Sequence, residues 1–184
     1  MRQPSLIFVL LLSRCVCAQE QIHPAPGVSL VHFAKIDEGV YVGSKPATEA
    51  DFAYLESQHI KNILNVKFLP GLSGAEKKQA RKHGMGFFSI PMNASFIAPS
   101  EKHVDRILLT LRDKREQPIY LHCYLGRDRT SLIAGLYGIN FQGESRQRAW
   151  ASMKHSGFKE VWYLRGLKRY FEKHSAPSPA LMKR

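Results

Sequence analysis

The sequence predicts an α/β domain with a central, mostly parallel sheet flanked by helices. Three observations carry that prediction. Short apolar runs bounded by turn residues alternate with stretches of helical period. The run Ile119-Tyr120-Leu121 passes straight through His122-Cys123-Tyr124-Leu125-Gly126-Arg127-Asp128-Arg129-Thr130 into the apolar stretch Leu132-Ile133-Ala134, a strand, a tight turn and a helix. The chain then ends in consecutive helical stretches, so the sheet must lie upstream of them.

The first eighteen residues read as a secretory signal. Arg2 supplies the positive start, Leu6 to Leu12 the apolar centre, and Val16-Cys17-Ala18 the small-residue site with cleavage before Gln19. The apolar centre is too short to span a membrane, and Arg14 directly before Cys15 opposes a lipoprotein signal acylated there. These features predict a secreted or periplasmic protein with no stable membrane insertion after cleavage. Residues 19–35 read as a leader, beginning with the Pro-rich stretch to Val28. Residues 36–174 read as the folded domain. Residues 175–184, with two prolines and two basic side chains, read as a disordered tail.

Within the domain, Val40 to Val42 reads as a short strand closed by the turn Gly43-Ser44-Lys45-Pro46. Thr48-Glu49-Ala50-Asp51 is a helix-start pattern that brings Phe52 and Leu55 to one face. Ile63 to Val66 reads as a buried strand, Gly74 to His83 as a polar, exposed helix, and Phe87 to Ile90 as a strand stopped by Pro91. Ser100 caps a helix whose apolar positions Val104, Ile107, Leu108 and Leu111 share a face. Pro118 opens the strand that leads to Cys123, and helices follow near 130–140, 144–155 and 160–173. In such a sheet the site lies at the carboxyl ends of the strands, where Cys123 falls.

Of the three cysteines, Cys15 and Cys17 leave with the signal. A lone Cys123 cannot form an internal disulfide and does not suit a zinc site or a redox enzyme that needs further cysteines. The net charge of +12 favours an anionic partner, although solubility alone accounts for it equally well. No aromatic-basic strip or known motif points to nucleic acid.

The loop has its own chemistry. A thiol amid backbone N–H groups at the positive end of a helix meets a tetrahedral oxyanion and is favoured as thiolate. Cys123 is then the nucleophile that attacks phosphorus. Arg129 grips two phosphate oxygens with its planar fork and stabilises the transition state, and Thr130 hydrogen-bonds the sulfur as leaving group. Tyr124, Leu125 and Gly126 contribute the loop backbone, with Gly126 free to turn an N–H inward. His122 orders the loop or is simply a partly buried histidine.

The stretch His122 to Thr130 resembles the signature loop of the protein tyrosine phosphatase superfamily, in its dual-specificity-like branch. The resemblance extends from about Asp37 to Phe171. Gly39 to Pro46 and Ile60 to Val66 are similar to the first two core strands of compact bacterial members. It implies the roles just given for Cys123, Arg129 and Thr130, and no metal or other cofactor. One departure stands out. The family's general acid is an aspartate on a loop that here reads Pro91-Met92-Asn93-Ala94-Ser95-Phe96-Ile97-Ala98-Pro99, without Asp or Glu. Asp128, similar to the loop aspartate of myotubularin-type lipid phosphatases, is the replacement candidate; its alternative is to pair with Arg127 or orient the loop. Arg127 resembles residues that meet a second phosphate on an inositol ring, with Lys67 and Lys45 as candidates at the same rim or as solvated surface residues. The expected substrate is a small anionic phosphate ester, foremost inositol hexakisphosphate, as in exported tyrosine-phosphatase-like phytases, whose usual loop differs at Arg127 and Asp128. A secreted protein tyrosine or phosphoinositide phosphatase, and a polyanion-binding module without turnover, are the alternatives.

Overall fold

A computed structural model describes residues 20–68 and 70–182. The signal segment, with Cys15 and Cys17, lies outside the described residues.

Six strands form one sheet in the order β1-β2-β3-β6-β4-β5. The four strands β3 (Val40–Gly43), β6 (Ile119–His122), β4 (Asn62–Asn65) and β5 (Gly86–Ser89) are parallel. Their alternation divides the core. Val40, Val42, Leu64, Ile119 and Leu121 enter one apolar cluster, while Ile63 and Tyr120 enter another on the opposite face. The expectation of a mostly parallel α/β sheet holds.

The stretch expected as a leader is built into this sheet. β1 (Glu20–Gln21) pairs antiparallel with β2 (Ala34–Asp37), and β2 pairs antiparallel with β3. Leu30 and Phe33 are buried, and Phe33 stacks near Tyr41, Tyr54 and Tyr120. The prolines at 24 and 26 turn the chain between strands and do not keep it off the fold.

Helices α1 (Glu49–Ser57) and α2 (Gly74–Lys82) cover one face. The α1 start is a capping box: Thr48 Oγ1 accepts from Asp51 N, and the Asp51 carboxylate accepts from Thr48 N. The same carboxylate takes Ser29 N at 2.6 Å, Ser29 Oγ at 2.7 Å and Ala47 N at 2.8 Å, so it ties the β1–β2 connection to the start of α1. Burial raises the Asp51 carboxyl pKa, but these donors outweigh it and hold it below the ordinary value.

The other face carries α3 (Glu101–Arg112), α4 (Asp128–Phe141), α5 (Arg146–His155) and α6 (Arg165–His174). The buried positions of α3 are the four expected, Val104, Ile107, Leu108 and Leu111. α4 is buried on nearly all sides, as a helix enclosed by its neighbours must be. The tail is not wholly irregular: α7 (Pro179–Met182) buries Leu181, Leu181 O accepts from Arg112 Nη1, and Ser178 N donates to Asn140 Oδ1. One apolar side chain and two hydrogen bonds suffice to seat a segment that composition marks as disordered.

Candidate active site

The site forms where β6 ends and α4 begins, at the carboxyl end of the parallel strands. Cys123 is the first residue past β6 and is buried and unpaired with any other cysteine among the described residues. Its backbone N–H donates to Thr130 Oγ1 at 3.0 Å, closing the loop on itself. That bond uses the Thr130 oxygen as acceptor and leaves its hydroxyl proton for the sulfur.

Gly126 has φ +69°, and a Cβ there would lie 2.4 Å from both Gly43 C and Ser44 N. Only glycine meets both demands, the left-handed turn and the close approach. The partner turn is fixed in its own right. Tyr120 Oη donates to Ser44 O at 2.6 Å from beneath Gly43, and Lys45 N donates to Tyr124 O at 3.1 Å. The Lys45 backbone therefore stands beside the loop, and Tyr124 and Leu125 are exposed on the loop itself.

Two arginines stand on the same loop and the first turn of α4. The Nε atoms of Arg127 and Arg129 are both buried and have no hydrogen-bond partner. A buried N–H without an acceptor is costly, so these donors await an anion. The Arg127 stem lies over Gly157, where a Cβ would come within 2.9 Å of Arg127 Cγ and 3.3 Å of His32 Cε1. Burial first, and then the Arg127 charge, lower the His32 pKa below its ordinary value, with Asp128 opposing them. His32 and Gly157 escape sequence reasoning because they lie 95 and 30 positions from Arg127 in the chain.

His122 does order the loop, through a buried relay. Its Nδ1 lies 2.8 Å from Cys123 O, a carbonyl that can only accept, so Nδ1 carries a proton. Its Nε2 lies 2.6 Å from Glu76 Oε1, a close contact that falls off the line of an aligned hydrogen bond. Glu76 Oε2 in turn takes Lys67 Nζ at 2.6 Å. Burial raises the Glu76 pKa, but His122 and Lys67 together outweigh it and keep the carboxyl below its ordinary value. Glu76 is thus the buried anion between the Lys67 ammonium and the His122 ring, directly under the Cys123 backbone.

This overturns the rim placement of Lys67. Its ammonium is turned inward to Glu76 and is nearly buried, so it does not reach a substrate phosphate. The helix over 74–83 is polar and mostly exposed, as its composition predicts, but it buries Glu76 and Ala80.

Asp128 is also drawn away from the role of acid. Its Oδ1 accepts from Lys159 N at 3.1 Å, and its Oδ2 lies 3.4 Å from Arg127 Nη2. Both carboxylate oxygens face donors of the surrounding structure, an arrangement that anchors the α5–α6 connection and Arg127 to the loop. The loop over 91–99 offers no carboxylate in its place. It is held by Gly166 of α6, where a Cβ would lie 2.3 Å from Ser95 O and 2.5 Å from Ile97 O. Phe96 stacks on Trp162 at 5.0 Å between centroids and under the Arg165 guanidinium. Among the described residues, no cluster of three or more His, Cys, Asp or Glu side chains could hold a metal ion.

A thiol at the mouth of an N–H-lined loop, an arginine in the first turn of the helix behind it, and a mostly parallel sheet define the protein tyrosine phosphatase-like class of folds and sites. Residues 27–138 match the model of the tyrosine phosphatase family, and the chain belongs to that family. Over 86 residues it is 34% identical to the dual specificity protein phosphatase TpbA of Pseudomonas aeruginosa, a match covering 45% of this chain and 37% of that protein. Over 108 residues it is 26% identical to the inositol diphosphatase DSP1 of Oryza sativa subsp. japonica, covering 57% of this chain and 48% of the relative. The matches thus span half or less of the length of these curated relatives. The fold is similar to the crystal structure of P. aeruginosa TpbA, with TM-score 0.67 at 22% identity over 84% of this chain and 89% of the other. It is similar also to the core catalytic domain of the PP-IP phosphatase SIW14 from S. cerevisiae, with TM-score 0.69 at 17% identity over 83% of this chain and 89% of the other.

Proposed function

We propose that this chain is an exported cysteine-dependent phosphatase that hydrolyses inositol polyphosphates such as inositol hexakisphosphate. The observation that carries the reading is the pair of buried, unpartnered guanidinium Nε groups on the loop and first helical turn that follow the buried Cys123 thiol. Arg129 holds the phosphoryl group to be transferred, and Arg127 holds a second phosphate of the same ring.

The Cys123 thiolate attacks phosphorus in line, forming an S–P bond as the P–O bond to the ring breaks. The equatorial oxygens gather charge, which meets the loop N–H groups, the positive end of α4 and the Arg129 fork. The leaving oxygen takes its proton from solvent water. Water then attacks the cysteinyl phosphate, releasing inorganic phosphate and the thiolate, whose charge the Thr130 hydroxyl stabilises. Export rests on the N-terminal signal pattern.

A specific observation favours a second substrate. The loop over 91–99 lacks a carboxylate, and Asp128 is held by Lys159 N and Arg127. A ring hydroxyl, with a pKa near water's ~15.7, leaves poorly without a proton donor, and a phenol at roughly 10 leaves better. A phosphate group leaving from a diphosphate, with a pKa of about 6, needs no donor. The site is therefore best matched, among inositol phosphates, to a diphosphate substituent. The relative named inositol diphosphatase is in keeping with it.

The deciding experiment is phosphate release from inositol hexakisphosphate, an inositol diphosphate and a phosphotyrosyl peptide, with Cys123→Ser as control. Release from either inositol substrate that the control abolishes supports the proposal, and faster release from the diphosphate selects the second substrate. Release from the peptide alone overturns both in favour of a protein phosphatase. Tight binding of the inositol substrates without release leaves a binding module.

A further inference from the structure

Among the described residues, five of the nine large apolar side chains that stay exposed lie on the connections leaving the carboxyl ends of β4, β5 and β6, and a sixth, Trp162, packs on one of them. They come from separate loops. Phe68 follows β4, Phe96 and Ile97 follow β5, Tyr124 follows β6, and Trp162 precedes α6. Ile97 is 70% exposed and Trp162 71%, although Trp162 stacks on Phe96. Side chains of this size so open to water are unfavourable unless something covers them.

The polar composition of the same rim is one-sided. The connections from β3 to α1, β4 to α2, β5 to α3 and β6 to α4 contain no Asp or Glu. Lys45 and Arg127 stand on them, and the Arg165 guanidinium lies 5.3 Å from the Phe96 ring centre. The whole chain carries +12. The apolar residues are tips of the loops at the Cys123 end of the sheet. A groove lined by Phe88 of β5, Leu109 of α3 and Leu181 of α7 lies elsewhere. The carboxylates nearest in sequence, Glu160 and Asp128, are paired with Lys168 and Arg127. Aromatic and aliphatic tips interleaved with cations match a flat, negatively charged surface with an apolar interior.

We propose that this rim seats the protein on the surface of an anionic phospholipid bilayer. Trp162, Ile97 and Phe96 enter the boundary between headgroups and acyl chains. Lys45, Arg127 and Arg165 meet the lipid phosphates, and Cys123 faces headgroups from above. The docking is peripheral; no helix among the described residues is long and apolar enough to cross a membrane. It rests on the phosphatase reading only for the reaction at Cys123, which would then act on phosphorylated headgroups presented by the bilayer.

The test is cosedimentation of the full chain with vesicles of phosphatidylcholine alone and of phosphatidylcholine mixed with phosphatidylglycerol. Neither lipid carries a phosphomonoester, so docking is read apart from catalysis. The expected result is binding to the anionic vesicles, weakened by salt, and lowered about tenfold in the double variant Ile97→Ser, Trp162→Ala. Both residues are exposed, so the variant should melt as the parent does and hydrolyse soluble para-nitrophenyl phosphate at the parental rate. Vesicle binding without turnover of any soluble ester supports the docking and counts against the phosphatase reading. No binding to anionic vesicles overturns the proposal, as does equal binding by parent and double variant. Loss of phosphotyrosyl-peptide capture in the double variant, with vesicle binding unchanged, overturns it by assigning the rim to a protein partner.

Discussion

Replacing Glu76 probes the buried triad most directly. The carboxylate has Lys67 Nζ at 2.6 Å from one oxygen and His122 Nε2 at 2.6 Å from the other, and is almost fully enclosed. Glu76→Ala leaves the Lys67 ammonium buried without a partner and His122 Nε2 facing a cavity. Breaking one buried pair this way costs about 3–5 kcal/mol. For a chain of this size each kcal/mol lowers Tm by about 2–4 °C, so a fall of roughly 10 °C is expected. Glu76→Gln is milder for a geometric reason. The amide oxygen can accept from Lys67, and the amide N–H then faces His122 Nε2. Stability should fall by about 1–2 kcal/mol. Melting followed by circular dichroism gives the readout for both variants. The pH dependence has a definite sign. A carboxyl held below its ordinary value contributes stability above about pH 4.3 and loses it as pH falls through the folded value. The parent should therefore lose stability more steeply than Glu76→Gln on acidification below that pH. Parent-like melting of Glu76→Ala, or a loss in Glu76→Gln as large as that in Glu76→Ala, would refute the reasoning.

Three further outcomes are expected from the geometry. Arg129→Lys keeps the charge but loses the planar fork, and kcat/KM on any phosphate ester should fall at least about 100-fold in steady-state assays. Asp128→Asn should slow an aryl phosphate and an inositol phosphate by similar factors, because Asp128 acts on Lys159 and Arg127; a much larger loss on the inositol substrate would restore it as the general acid. Asp51→Ala strips the acceptor from Ser29 N, Ala47 N and Thr48 N, and should cost about 3 kcal/mol in urea unfolding with little change in kcat.

Much of this site is legible in the chain because its residues are local. Cys123, Gly126, Arg129 and Thr130 sit within eight positions, and strand, turn and helix are all encoded in that one segment. α1 and α3 are likewise legible from a capping box and a four-residue apolar face. What stays hidden is long-range or polar. Glu76 lies on a helix with one buried charge among many exposed ones, and hydrophobic period carries no trace of such a residue. Lys67 looks like a rim cation because nothing nearby in sequence announces its anion. β2 and β1 are missed because they are four and two residues long, too short for a period to register.

The contact at Gly166 has a consequence for the timing of turnover. The backbone at Ser95 and Ile97 rests directly on that glycine, with no room for a single methyl group between them. The loop that borders the mouth is therefore packed backbone to backbone on α6, a contact that opposes its swinging as a free flap. Opening and shutting then drop out as a clock for the cycle. Turnover should be insensitive to solvent viscosity, and the aperture through which an ester reaches the thiol is set by one hydrogen-sized side chain more than forty positions downstream of Cys123.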